Sequence, residues 1–97
     1  MDQQPQPSPE QPPEVPEVPD DVASALAAHG VMERDEVALR LALEARLPGY
    51  TLCRLTPAAY RRWKCKYRIM FGATYFDCHT VAEAYARALL ATLPESN

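Results

Sequence analysis

The chain has 97 residues and a formal net charge of −3, enough for one domain at most. Its three cysteines are odd in number and form no CxxC pair, which argues against both a disulfide framework and a structural zinc site. The longest uncharged run of the domain, residues 22–32, is too short to span a bilayer.

Residues 1–19 hold seven prolines, no aromatic residue, and only Val15 and Val18 as aliphatics beyond Met1. Such a stretch cannot bury enough apolar area to offset the entropy of ordering it, so it reads as a disordered, acidic, Pro-rich leader with polyproline II bias. Its PxxP repeats lack a flanking Lys or Arg, and chance matches are common in any Pro-rich run. The globular part is expected over 20–94, with a frayed tail at 95–97. The net charge conceals a split. Residues 1–21 carry six acids and no Lys or Arg, whereas 22–97 carry ten bases and seven acids. The start Met1-Asp2-Gln3-Gln4-Pro5 has neither a basic nor an apolar character, so a reduced, cytoplasmic protein is expected.

Asp20 or Asp21 can cap a short helix over 22–28, which Gly30 stops. A second helix is expected over 33–47. Leu39, Leu43 and Leu47 make one apolar stripe and Val37 and Leu41 another, which predicts contact with both a sheet and a second helix. Pro48-Gly49 ends it. Residues 50–55 read as a first strand and 56–59 as a connection. A long strand is expected over 60–71, because Trp63, Cys65, Tyr67, Ile69 and Phe71 fall on one parity while Arg62, Lys64, Lys66 and Arg68 fall on the other. Gly72-Ala73 suits a II′ turn. That turn pairs Phe71 with Thr74, Met70 with Tyr75, Ile69 with Phe76, Arg68 with Asp77, Tyr67 with Cys78 and Lys66 with His79. Thr80-Val81-Ala82-Glu83 is a capping box opening a last helix that runs to Leu93, with Glu83 and Arg87 paired at i+4.

The fold class is therefore α+β: an α-β-β-β-α order with a three-stranded antiparallel sheet. Both long helices are expected to cover the Trp63 face of that sheet. The open face then gathers Arg62, Lys64, Lys66, Arg68, Tyr75 and His79, a cationic surface suited to an acidic protein or to phosphates with a base stacked on Tyr75. No catalytic residues, metal ligands or cofactors are assigned. Cys78 and His79 are adjacent on a strand and point to opposite faces, and no nucleophile elbow, paired His-Glu motif or Gly-rich phosphate loop occurs.

Thr80, Glu83, Ala84, Arg87, Ala88, Leu89 and Leu90 give residues 63–93 a resemblance to small phage and prophage proteins with an αββα sandwich. That resemblance implies an adaptor or inhibitor acting in the host cytoplasm, with no catalytic residues to carry over. The α-β-β-β-α order and the Ala-rich last helix also resemble double-stranded-RNA-binding domains. Those grip RNA with lysines at the start of the last helix, where this chain has His79-Thr80-Val81-Ala82-Glu83. The leading expectation is a non-enzymatic interaction protein that binds an acidic protein partner through the cationic sheet face. A nucleic-acid-binding domain is the alternative, and a homodimer paired through its sheet edge is a third possibility.

Overall fold

The computed structural model describes residues 17–94, apart from the side chains of Tyr60 and Trp63. The leader reading for 1–16, the tail at 95–97 and the inward Trp63 side chain lie outside the described residues. The elements run α1 (Asp20–Ala28), α2 (Glu36–Glu44), β1 (Thr51–Arg54), α3 (Pro57–Trp63), β2 (Tyr67–Phe71), β3 (Thr74–Cys78) and α4 (Val81–Thr92). The three strands form an antiparallel α+β sheet in the order β1-β2-β3.

The ordered domain begins earlier than composition indicates. Val18 is buried in the core, and the Glu17 carbonyl accepts a hydrogen bond from Thr80 Oγ1. Pro19, not an aspartate, occupies the cap position of α1, and Asp20 and Asp21 sit in the first turn, where the helix dipole favours them. Gly30 closes α1 at φ +82°. Its N–H reaches the Ala27 carbonyl at 2.9 Å and the Val31 N–H reaches that of Leu26 at 3.0 Å, the two bonds of a Schellman stop. Asp35 caps α2 by accepting from the Ala38 N–H at 3.0 Å, which starts this helix three residues later than its apolar pattern predicts.

The expected long strand is divided. Residues 57–63 are helical, so Arg62 leaves the sheet. The cause is local. Thr56 Oγ1 accepts from the Ala59 N–H at 3.2 Å, Pro57 takes the first helical position where its missing N–H costs nothing, and two alanines follow. Lys64 then reverses the chain at φ 63°, a left-handed conformation that is strained for a residue with a Cβ. Lys64→Gly is expected to raise unfolding stability by about 0.5 kcal/mol in urea titration, with Lys64→Ala giving no gain. Equal behaviour of the two variants would show that the turn carries no strain.

From Tyr67 onward the expected register holds for all five ladder pairs from Tyr67–Cys78 to Phe71–Thr74. The sixth expected pair lies beyond the ladder, since the Lys66 N–H bonds to the Cys78 carbonyl at 3.0 Å. Gly72 takes the positive φ of 58° and Ala73 does not, the signs of a II′ turn.

α4 is the centre of the molecule. It lies on β2 and β3, and α1 and α2 pack on α4. Ala82, Ala84, Ala86 and Ala88 are buried around it, together with Tyr85 and Leu89. A helix apolar on every side belongs in the interior, and its alanines let neighbours approach closely. Leu39 and Leu43 of α2, Leu26 of α1 and Ile69 of β2 complete the core. The expectation that both long helices cover the sheet is thus corrected: α2 packs on α4 rather than on the strands. Its second stripe has no cover, and Val37 and Leu41 are exposed.

Candidate functional site

The six residues expected on one sheet face occupy three different places. Only Arg68 and Tyr75 lie side by side on that face, and there the charge is neutralised. Arg68 Nε donates to Asp77 Oδ1 at 2.7 Å and its Nη2 donates to Oδ2 at 3.0 Å, a two-point carboxylate clamp. The guanidinium also lies 4.5 Å from the Tyr75 ring centroid. The Asp77 hydrogen bonds push the Arg68 pKa up, so this cation stays charged and engaged. Beside it are Cys53, paired with Arg68, and Met70, paired with Tyr75. The open face is a mixed surface of one ion pair and apolar side chains, not a cationic one.

Lys66 and His79 form a second group. Together with Glu17, Glu36 and Thr80 they line a cleft of about 280 Å³ at the start of α4. Two carboxylates there offset the bases.

Arg62 and Lys64 belong to the third place, the excursion between β1 and β2. Its two ends are joined where the Leu55 N–H donates to the Lys66 carbonyl at 2.7 Å. Between them, residues 56–65 form an arm whose helix α3 contacts no other helix or strand among the described residues. Arg61 and Arg62 fall in the last turn of α3, where they complement the helix dipole. At the root, Arg54 and Lys66 line a cleft of about 260 Å³ with Leu55 and Pro57. Arg54, Arg61, Arg62, Lys64 and Lys66 are all exposed, and no Asp or Glu occurs anywhere in 51–76. Arg54 and Arg61 were missing from the expected set because Arg54 belongs to the first strand and Arg61 falls on the other parity of the alternating run. The signal that includes them is the acid-free window itself.

The cysteines are structural in character. Cys78 is fully buried, which pushes its thiol up to about 12, and burial also raises that of the half-buried Cys65. Among the described residues no group of three His, Cys, Asp or Glu is placed to hold a metal ion, and no helix is long and apolar enough to cross a membrane.

Comparison with known proteins finds no matching family model, no similar curated protein and no similar solved structure. The phage αββα and double-stranded-RNA-binding likenesses have no counterpart among these comparisons.

Proposed function

We propose that the protein is a cytoplasmic, non-enzymatic binding module whose β1–β2 arm engages a polyanion, with the nucleic-acid backbone as its ligand. The observation that carries this reading is the set of four exposed cations, Arg54, Arg61, Arg62 and Lys64, on and beside one helix, in a stretch of chain free of acids. A convex basic helix matches the concave, evenly charged backbone and grooves of a polynucleotide. An acidic protein is the weaker fit. Protein interfaces centre on apolar and aromatic groups with charge at the rim. Among the described residues the exposed large apolar side chains, Met32, Val37, Leu41 and Tyr75, belong to α2, the segment before it, and β3.

The experiment is a titration of fluorescent duplex DNA, duplex RNA and single strands with the full chain between 50 and 200 mM salt. If three or four phosphates are neutralised, log K is expected to fall against log salt with a slope of about −2.7 to −3.6 on duplex DNA. Binding to polyglutamate but to none of the polynucleotides at low salt would instead assign the arm to an acidic protein.

A further inference from the structure

We propose, building on the arm as a polyanion site, that residues 1–16 are its internal ligand, held along α3 and its root in competition with an external polyanion. The described chain starts beside the arm. Glu17 lines the cleft at the start of α4 together with Lys66, and its carbonyl is tied there by the Thr80 hydroxyl. Lys66 also lines the cleft at the root of the arm with Arg54 and Pro57, and its carbonyl accepts the Leu55 bond that closes the root. Residues 1–16 therefore join the domain at a point separated from Arg54 by the single residue Lys66.

Charge and reach select the occupant. Residues 1–16 carry Asp2, Glu10 and Glu14 and no Lys or Arg, whereas 51–76 carry no acid. A proline-type extended chain advances about 3 Å per residue, so Glu14 can stand up to roughly 9 Å from Glu17 and Glu10 up to roughly 22 Å. Helix α3 has seven residues and is about 10 Å long. The two acids can thus be laid against the root of the arm and against the last turn of α3, where Arg61 and Arg62 stand. Six of the sixteen residues are proline, which fixes φ and lowers the entropy lost when the segment is held. Arg54, Arg61, Arg62 and Lys64 are exposed, so the contact is weak and falls off with salt.

The test compares the full chain with a full-length variant carrying Asp2→Asn, Glu10→Gln and Glu14→Gln, three positions outside the described domain. Backbone amide NMR is expected to show different resonances for residues 54–66 in the two chains at 50 mM salt, and the same resonances at 500 mM. Titration with duplex DNA is expected to give the variant about fivefold higher affinity at 50 mM salt and less than twofold at 200 mM. Identical arm resonances in the two chains at 50 mM salt would overturn the proposal. So would changes spread evenly over α1, α2 and α4, which would mark a general effect of net charge, or equal affinities at 50 mM salt. If neither chain binds a polynucleotide, polyglutamate takes its place in the titration. Arm resonances that differ, with polyglutamate bound more tightly by the variant, would then refute the nucleic-acid reading and leave the internal contact standing.

Discussion

Glu83→Ala is expected to lower unfolding stability by about 2–4 kcal/mol, the largest single-site loss outside the apolar core. Glu83 is only 3% exposed, and it is the one buried charged side chain among the described residues. Its Oε1 accepts from the His79 N–H at 2.9 Å and its Oε2 from Arg87 Nε at 2.7 Å. Its own N–H is held by Thr80 Oγ1 at 3.0 Å, and that same hydroxyl donates to Glu17. The carboxylate thus closes the start of α4, satisfies the end of β3 and neutralises a half-buried guanidinium. Alanine leaves an unmet N–H and an uncompensated charge. Glu83→Gln keeps an acceptor for His79 and loses only the charge, so its cost is expected to be about half as large. Urea unfolding of both variants measures this. Losses under about 0.5 kcal/mol for both would mean that solvent replaces the carboxylate freely.

The second large effect concerns binding. Changing Arg61, Arg62 and Lys64 together to glutamate is expected to reduce polynucleotide affinity by about 10²–10³-fold at moderate salt, through lost phosphate contacts and added repulsion. Circular dichroism is expected to show the triple variant folded, because Arg61, Arg62 and Lys64 are exposed. Arg68→Gln is the decisive control. Arg68 is clamped by Asp77 and lies over Tyr75, so its removal should alter affinity less than threefold. An Arg68→Gln loss as large as that of the triple variant would return the ligand to the sheet face.

The hairpin was legible in the sequence because two signals agree there. Period two places Ile69 against Phe76 and Arg68 against Asp77, and Gly72 fixes the turn that makes those pairs meet. The α4 capping box was legible for a similar reason, since Thr80 and Glu83 have a fixed spacing and a single geometric use. The arm was not, because two signals conflict. Alternation over Arg62, Trp63, Lys64 and Cys65 favours a strand, whereas Thr56-Pro57 with two alanines favours a helix start. The helix prevails as far as Trp63. The left-handed turn at Lys64 carries no sequence mark, because glycine usually serves there. Periodicity showed that α2 has two apolar stripes, yet it cannot say which has a neighbour. The acid-free basic window was visible throughout. Its location in space depended on where the strand began.

The bond from Leu55 to Lys66 has one more implication. It closes the excursion directly beyond the Arg54–Tyr67 pair, so the strands on either side are already aligned before the arm begins. Cys65 ties the end of the excursion to the body, half-buried within the field of Asp77, Glu83 and Arg87, and residues 56–64 are the stretch that the strand pairing leaves out. A chain in which that stretch is replaced by a short turn is expected to keep the β1–β2 register. Under the proposed reading, recognition and folding are housed in largely separate pieces of polypeptide.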